Sequence, residues 1–233
     1  MSWIVVGILI LAAQLIGQGI KIVPGSFQNV FELFVEKFLG IMEGVLGSRK
    51  NAEHYFPLVG TIFIFILTSN WLGIFPGVGS VGLYEEVYGK QLFVPLFRSA
   101  ASDLNLTLAL GVLAVFLINV SGVAAVGVRA HLGKFFSFKG PLSFFVGILE
   151  FISEFAKIIS FSFRLFGNIF AGEVLLIIVS FLAPFGAPLP FLFLEIFVGF
   201  VQALVFAMLT MVFISIAVAH HDEEVAHHET PAH

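Results

Sequence analysis

Four long stretches of this sequence carry no charged residue, and they restrict what the chain can fold into more than any other feature. An α-helix needs about 20 consecutive, mostly apolar residues to cross a hydrocarbon core of about 30 Å. Only 11% of the residues are charged, whereas soluble domains have about a quarter charged. The chain is therefore predicted to be an integral membrane protein. The uncharged stretches are 1–20, 54–84, 104–128 and 174–194, and a further one extends from 196 to 221.

The composition excludes several classes of function. The chain has no Cys, which removes thiolate chemistry, disulfides and cysteine metal sites. Asp occurs only at Asp103 and Asp222, so no paired-Asp active site is expected, and no basic surface for nucleic acid is present. The sequence has no Gly-Lys-Ser or Gly-Lys-Thr phosphate loop, and segment 77–82 matches a dinucleotide fingerprint but follows a predicted span. Neither a nucleotide site nor a cofactor is therefore expected on this chain.

The C-terminal end is rich in histidine. Tracts of this kind can bind metal ions, but here the His residues are mixed with Glu and Asp after the last predicted span. This mixture is typical of a solvated segment, so 220–233 is predicted to be a disordered cytoplasmic tail without a metal site. The His residues concerned are His220, His221, His227, His228 and His233.

The uncharged stretches predict an all-α integral membrane protein with five membrane-crossing helical segments. Between 24 and 47 the pattern changes, because Glu32, Glu36 and Glu43 fall at helical spacing opposite a face rich in Phe. Such an amphipathic helix is expected to lie in the membrane interface. Segment 77–102 is interpreted as a polar external loop. The predicted elements of this single membrane domain, 1–233, are a first span at 3–20, the interfacial helix at 25–47, spans at 55–75 and 104–128, and a helical hairpin of 142–183 and 189–219.

The predicted hairpin is too long for a straight crossing. Residues 142–183, at a rise of about 1.5 Å per residue, would form a helix about 63 Å long, about twice the thickness of the hydrocarbon core. A helix of this length must tilt, kink or run partly along the interface. We therefore expect a long, tilted C-terminal hairpin.

The basic residues predict the orientation of the chain. Cytoplasmic loops of membrane proteins carry an excess of Lys and Arg. With the N-terminus outside, only Lys90 and Arg98 are external and all the other basic loop residues are cytoplasmic. The N-terminus is therefore predicted outside and the C-terminus in the cytoplasm. The cytoplasmic set is Lys21, Lys37, Arg49, Lys50, Arg129, Lys134 and Lys139.

The hairpin contains charged and polar residues at membrane depth. An ionisable group there costs about 2.5 to 3.5 kcal/mol and normally faces a partner or a water-filled cavity. Glu173 projects from one side of the first helix, whereas Glu195 and Gln202 share a face of the second. The opposite side of the first helix carries Glu150, Glu154, Lys157, Arg164 and Asn168. Glu154 and Lys157 are three residues apart, so a purely structural ion pair stays open for them.

The two hairpin helices can be aligned by their numbering. In an antiparallel hairpin, residues whose numbers sum to a constant lie level with each other. This puts Arg164 level with Gln202, and Glu173 level with Glu195 about 13 Å nearer the external connection. The predicted hairpin thus holds a central cation with an amide partner and, further out, a pair of carboxylates. No carboxylate lies within one helical turn of Arg164, so a purely structural role is disfavoured for this residue.

The hairpin also carries a resemblance to a known family. The string from Arg164 to Glu173, Arg-Leu-Phe-Gly-Asn-Ile-Phe-Ala-Gly-Glu, resembles the signature of subunit a of bacterial F-type ATP synthases. That subunit is the membrane stator that conducts protons past the rotating c-ring. The similarity covers nearly the whole chain, and its other segments are 24–29, 70–77, 103–107 and 195–202.

The resemblance implies a role for each of these polar residues. Arg164 corresponds to the family's essential arginine, Glu173 to its outer-channel acid and Gln202 to its helix-six glutamine. Some family members have His where this chain has Glu195, so the outer path here would hold two carboxylates. The outer path would be lined by Glu173, Glu195, Asp103 and Asn105, and the inner path by Glu150, Glu154 and Lys157, with Asn168 and Gln202 in support.

The chemistry of arginine agrees with that role. An arginine cannot be deprotonated in proteins, so Arg164 is a fixed cation through which no proton can pass. Beside a carboxylate on a rotor subunit, it would favour the ionised form and expel the proton. The resemblance therefore implies a non-catalytic, ion-translocating subunit of the bacterial cytoplasmic (inner) membrane. Its implied partners are the c-ring subunits, the peripheral-stalk subunit b, the lipid bilayer, and protons or sodium ions.

A second class of function stays open from the residues alone. A self-contained secondary transporter or channel could use Arg164 to bind an anionic substrate. Transporters of this kind often show internal repeats and paired broken helices around a midplane site. This sequence has no internal repeat, and its polar residues are concentrated in one hairpin. An intramembrane protease is excluded, because the chain has no His-Glu-x-x-His, no Asp pair and no Gly-x-Ser-x-Gly.

Overall fold

The computed structural model describes residues 1–19, 25–75, 82–87, 90–95, 98–128 and 141–228. These residues form six α-helices, a two-stranded sheet and one short 3-10 turn. The last two helices pack on each other and on α4. The helices are α1 (Ser2–Gly19), α2 (Ser26–Leu46), α3 (Arg49–Ile74), α4 (Leu104–Val126), α5 (Pro141–Leu182) and α6 (Pro188–His228), and the strands are β1 (Gly82–Val87) and β2 (Lys90–Pro95).

Four of the described helices are long and apolar enough to cross a membrane. They are α3, α4, the Leu142–Leu182 part of α5 and the Pro188–Val218 part of α6. The apolar part of α1, Ser2–Gln18, is shorter than any of these. The chain is therefore a helical membrane protein, and the predicted all-α class is confirmed apart from the small sheet.

A tight turn fixes how α2 meets α3. Gly47 ends α2 in the left-handed region, with φ 74°, and its N–H donates to the Glu43 carbonyl at 2.9 Å. This conformation favours glycine because a side chain there would be strained. Ser48 then caps α3, since its Oγ accepts the Asn51 N–H at 3.2 Å. The turn folds α2 back onto α3, where the rings of Phe38 and Phe63 lie 5.3 Å apart.

The largest fully buried side chains between the helices are those of phenylalanine. Phe161 of α5 and Phe206 of α6 are fully buried, and their ring centroids are 4.6 Å apart. Many other large apolar side chains are exposed on the outside, among them Trp3, Phe181 and Phe185. An apolar exterior around a packed interior is the pattern expected of helices that face lipid.

A small residue lets α4 approach α5 closely. A Cβ at Gly111 would lie 3.0 Å from the Ile158 carbonyl oxygen and closer still to Ser162 Oγ. Small residues at helix interfaces are common in membranes, because they bring the backbones together. Gly111 therefore fixes the distance between α4 and the polar side of α5.

The predicted polar loop 77–102 contains regular structure, which corrects that prediction. β1 and β2 form an antiparallel hairpin in which Gly82 pairs with Pro95 and Val87 with Lys90. Only two residues separate the strands in sequence, the commonest length for a hairpin connection. The strands are rich in aromatic and branched residues, which favour extended structure.

The C-terminal tail also differs from its prediction. α6 continues to His228, whereas disorder was predicted from 220 onwards. The reason is that residues 219–230 contain neither Gly nor Pro, so nothing ends the helix that precedes them. The remaining tail, 229–233, lies outside the described residues, as do Lys21, Arg129, Lys134 and Lys139 and most of segment 77–82.

Candidate functional site

Arg164 lies near the middle of α5 with its side chain exposed. One guanidinium nitrogen donates to Ser160 Oγ, one turn earlier, at 3.2 Å. Arg164 takes part in none of the ion pairs that the described residues form. The cation is therefore turned outward from the helix bundle with no carboxylate of the described chain beside it.

Gln202 on α6 is buried, and its partner is Asn168 rather than Arg164. Asn168 Nδ2 donates to Gln202 Oε1 at 3.1 Å, while Gln202 Nε2 is buried without a partner among the described residues. The expectation that Arg164 would pair with this amide was wrong by one turn. Side chains on a helix lean toward its N-terminus, and in an antiparallel hairpin those directions oppose each other. Gln202 therefore leans along the hairpin to meet Asn168 instead of the residue level with its own Cα.

Glu195 of α6 packs directly over Gly172 of α5. A Cβ at Gly172 would lie only 2.8 Å from Glu195 Oε1, so only glycine leaves room for this carboxylate. Glu195 is 8% exposed, and its Oε2 is buried with no hydrogen-bond partner in the described part of the chain. Because Gly172 precedes Glu173, the structure brings both outer carboxylates to the same stretch of the hairpin, as their numbering predicted.

Glu173 contacts Arg98, which was predicted only to be one of two basic residues on the external side of the membrane. Arg98 Nε lies 3.3 Å from Glu173 Oε1, with the Arg98 side chain 55% and the Glu173 side chain 30% exposed. The other carboxylate oxygen, Glu173 Oε2, is buried without a partner among the described residues. One oxygen of Glu173 is thus bound to a cation and the other is free.

The end of α3 joins this region through two hydrogen bonds to α6. Asn70 Nδ2 donates to the Gly199 carbonyl at 3.0 Å, and Trp71 Nε1 donates to the Ile196 carbonyl at 3.1 Å. A Cβ at Gly73 would overlap Ser99, so the chain entering α4 also lies against this end of α3. Polar residues inside an apolar span are the local sequence signal for these contacts.

The side chains around the outer carboxylates contain several buried polar atoms without partners. We call this set the outer polar cluster. Buried polar atoms are nearly always hydrogen-bonded to protein or to ordered water. Atoms of the cluster come from α3, α5, α6 and the segment before α4, and ordered water is the partner expected for buried polar atoms that lack one in the described residues. The atoms are Ser69 Oγ, Asn70 Oδ1, Ser99 Oγ, Glu173 Oε2, Glu195 Oε2 and Gln202 Nε2.

Asp103 and Asn105 lie at the start of α4, and both are exposed. Asp103 Oδ1 accepts the Asn105 backbone N–H at 2.9 Å, which caps the helix. The contact of the Asp103 side chain is that of a helix start, and Asn105 takes part in it through its backbone N–H. They lie in the same segment as Arg98 and Ser99, beside the outer polar cluster.

The carboxylate on the other side of Arg164 has a different environment. Glu154 Oε1 accepts from Lys157 Nζ at 2.6 Å, and Glu154 Oε2 accepts from Asn119 Nδ2 of α4 at 3.0 Å. Lys157 also lies over the ring of Phe213 of α6, 5.0 Å from its centroid. We call these residues the inner ion-pair cluster. Both oxygens of Glu154 accept hydrogen bonds. This favours the interpretation that Glu154 and Lys157 form a purely structural ion pair, which the sequence left open.

Glu150 lies one turn before Glu154 and is half-buried. Its side chain forms no ion pair within the described residues. Of the three residues predicted for the inner path, Glu150 is therefore the one whose charge is not neutralised by a described neighbour. Asn119 of α4, which was not among the predicted site residues, donates to Glu154 across the interface between α4 and α5.

Comparisons with known proteins give the family of this chain. The family model described as ATP synthase A chain matches residues 1–215. This chain belongs to the ATP synthase subunit a family. The resemblance inferred from the string that begins at Arg164 is thereby confirmed, and the chain is a proton-translocating Fo membrane subunit with a non-catalytic role.

The relatives of this subunit a cover most of its length. ATP synthase subunit a of Moorella thermoacetica is 31% identical over 214 residues, which are 92% of this chain and 87% of the relative. The protein of the same name from Campylobacter fetus is 33% identical over 216 residues, 93% of this chain and 87% of the relative. That of Campylobacter curvus is 34% identical over 212 residues, 91% and 86% of the two chains.

Proposed function

We propose that Arg164 is the fixed cation of this subunit a and separates two aqueous paths that lead protons to and from carboxylates of the c-ring. The observation that carries the proposal is the isolation of Arg164. Its guanidinium is exposed at membrane depth and has a serine, not a carboxylate, as its described partner. A charge left in this state is expensive unless another molecule supplies the counter-charge.

The outer path runs through the outer polar cluster. Glu173 and Glu195 lie toward the α5–α6 connection from Arg164, and each keeps one buried oxygen without a partner in the part of the chain that the structure describes. Water bound between them would satisfy these atoms and let a proton move from one carboxylate to the other. Asp103 and Asn105 belong to this path as the polar rim at the start of α4.

The inner path starts from Glu150. It lies fourteen residues before Arg164, about 21 Å along the helix and on the side away from the outer carboxylates. Glu154 and Lys157 support this path as an ion pair rather than as proton carriers, since each already has a partner. Arg164 stands between the two paths, and no proton can pass through it.

The separation of the paths couples ion flow to rotation. A proton that descends a membrane potential of 100 mV supplies about 2.3 kcal/mol. This energy reaches the rotor only if the proton must ride on a c-ring carboxylate from one path to the other. Arg164 favours the ionised form of the carboxylate that passes it, so the proton leaves on the correct side.

The proposed setting is the bacterial cytoplasmic (inner) membrane, with five crossings, the N-terminus outside and the C-terminus in the cytoplasm. α1 is then the fifth crossing, and α2 lies in the interface because its exposed Glu32, Glu36 and Glu43 alternate with the buried Phe38 and Met42. The length of α5 and α6 suits a tilted hairpin against a cylindrical rotor. The proposed partners are the c-ring, the peripheral-stalk subunit b and the translocated proton or sodium ion.

The experiment is substitution of Arg164 in the assembled complex. Arg164→Ala should abolish ATP synthesis and make the complex leak protons, since the barrier between the paths is lost. Arg164→Lys should restore little ATP synthesis. A lysine ammonium can lose its proton beside an apolar surface, and it lacks the planar set of donors of a guanidinium. Ser160→Ala, which removes only the described partner of Arg164, is the matched control and should keep most of the activity.

Reconstitution of the chain without rotor subunits completes the test. Vesicles with the wild-type chain and vesicles with Arg164→Ala should both be impermeable to protons, because the c-ring carboxylate is missing from the path. Substantial proton flow through the isolated wild-type chain, unchanged when the rotor is added, would overturn the proposal in favour of a self-contained channel.

A further inference from the structure

A polar cavity of about 480 Å³ lies where the chain enters α4. Its lining includes Arg98, Ser99, Ser102 and Asp103, together with Ser2 at the start of α1. Because α1 begins at this cavity and Arg98 also reaches Glu173, the cavity lies at the same end of the bundle as the outer polar cluster. A polar cavity of this size is roomy enough for many water molecules, since one water occupies about 30 Å³ of liquid.

Arg98 is the residue that joins this cavity to Glu173. It lines the cavity, and its Nε lies 3.3 Å from Glu173 Oε1. Its neighbour Ser99 also lines the cavity and has a buried Oγ without a partner among the described residues. The cavity and the outer polar cluster are therefore adjacent, with the guanidinium of Arg98 at the boundary.

The contact between Arg98 and Glu173 joins one nitrogen to one oxygen. It holds the carboxylate by Oε1 and leaves Oε2 in the interior, where none of the described residues pairs with it. A carboxylate fixed in this way keeps one oxygen in place while the other exchanges a proton. A single contact of this kind requires a positive charge at the right distance but not the planar fork of a guanidinium.

We infer that Arg98 is a positioning residue of the outer path, which lines the polar cavity and holds Glu173 behind it, and that the cavity is the aqueous mouth of that path. This inference rests on the proposed function and adds a residue and an entrance to it. Arg98 and Arg164 are then two cations with different tasks. Arg164 must keep protons from crossing, whereas Arg98 only orients the carboxylate that receives them.

The first test measures passive proton flow through the assembled membrane sector after removal of the catalytic sector. Arg98→Gln should lower the rate by up to about fivefold, the loss expected for a partly exposed ion pair. Arg98→Lys should keep most of the wild-type rate, because the contact is made by one nitrogen. Arg49→Gln is the matched control, since Arg49 Nε makes the same type of contact to Glu53 Oε1 at 3.0 Å on the exposed start of α3. The control should not change the rate.

The outcomes separate this inference from the proposed function. If Arg98→Gln matches Arg49→Gln while Arg164→Ala still abolishes coupling, then Arg98 has no positioning role and the proposed function stands. If Arg98→Lys is as slow as Arg98→Gln, the contact needs more than charge and the inference is wrong as stated. If Arg164→Ala leaves coupling intact, the proposed function fails, whatever Arg98 does.

A second measurement does not depend on whether Arg98 variants assemble. The chain has no native Cys, so Leu104→Cys provides a single thiol at an exposed position in the lining of the cavity. A membrane-impermeant thiol reagent should react with it from the side opposite the catalytic sector and slow proton flow. Reaction only from the catalytic side, or no reaction in a complex that still conducts protons, would overturn the assignment of the cavity as the outer mouth.

Discussion

The outer polar cluster and the inner ion-pair cluster contain similar residues but differ in how their polar atoms are paired. In the inner cluster, both oxygens of Glu154 accept hydrogen bonds from side chains of the same chain. In the outer cluster, Glu173 and Glu195 each keep a buried oxygen without a described partner. A carboxylate whose oxygens are both occupied stabilises the packing of helices, whereas one with a free buried oxygen requires water and can pass on a proton. Under the proposed function, the pairing of the carboxylate oxygens, rather than the residue type, distinguishes a proton-carrying site from a structural one.

The largest expected difference between the clusters is in proton flow. Glu195→Gln should lower the flow by about 100-fold or more, because a glutamine cannot carry a proton in a path that depends on acid–base transfer. Glu154→Gln should leave the flow per assembled complex close to that of the wild type. The measurement is passive proton flow normalised to the amount of assembled subunit. Equal losses in the two variants would show that the clusters do not differ in function.

The next effect tests the fit of Glu195 over Gly172. Gly172→Ala should lower proton flow by about tenfold, because the added Cβ displaces the carboxylate from its position. Gly44→Ala on α2 is the matched control, since a Cβ there meets nothing within 4 Å. The shorter side chain of Glu195→Asp should recover part of the loss when combined with Gly172→Ala. If the double variant is no better than Gly172→Ala alone, displacement of the carboxylate is not the cause.

Substitutions in the inner ion-pair cluster should lower the stability of the complex rather than proton flow. Glu154→Gln leaves the Lys157 ammonium without its charged partner, in a pair whose side chains are only 15% and 18% exposed. The expected loss is about 1 to 3 kcal/mol, seen as a lower thermal midpoint of the complex. Glu154→Gln combined with Lys157→Met removes both charges and should be at least as stable as Glu154→Gln alone. A double variant that loses the sum of the two single losses would argue against an ion pair.

The smallest expected effect is at the contact between α3 and α6. Trp71→Phe keeps the aromatic ring but removes the N–H that donates to the Ile196 carbonyl. The expected loss of stability is about 0.5 to 1.5 kcal/mol, with proton flow unchanged. The measurement is again the thermal midpoint of the complex, with proton flow recorded on the same preparation. A large loss of flow with unchanged stability would place Trp71 in the path itself.

The sequence predicted the hairpin and its polar residues, because charged groups in an apolar run are visible without any knowledge of packing. The lack of a carboxylate within one turn of Arg164 on its own helix was also visible in the sequence, whereas the amide partner predicted for Arg164 was wrong. The partners of the other residues depend on contacts between distant segments. Arg98 is 75 residues from Glu173, Asn119 is 35 from Glu154, and Asn70 is 129 from Gly199. No local sequence pattern predicts contacts between residues that lie so far apart along the chain.

Side-chain direction accounts for the remaining difference at the site. The alignment of the hairpin by numbering treated each residue as if it lay at its own Cα. Gln202 and Asn168 meet because their side chains lean toward each other along the two antiparallel helices. The register of the helices was therefore predictable, while the pairing of their amides required side-chain geometry.

The central claim is that the two clusters lie on separate aqueous paths divided by Arg164, and access of water-soluble reagents tests it most directly. Single substitutions Glu173→Cys, Glu195→Cys and Glu150→Cys would be made in this naturally Cys-free chain and probed with membrane-impermeant thiol reagents, in vesicles of each orientation. The account predicts reaction at 173 and 195 only from the side opposite the catalytic sector, and at 150 only from the catalytic side. Reaction of 173 and 150 from the same side would contradict it.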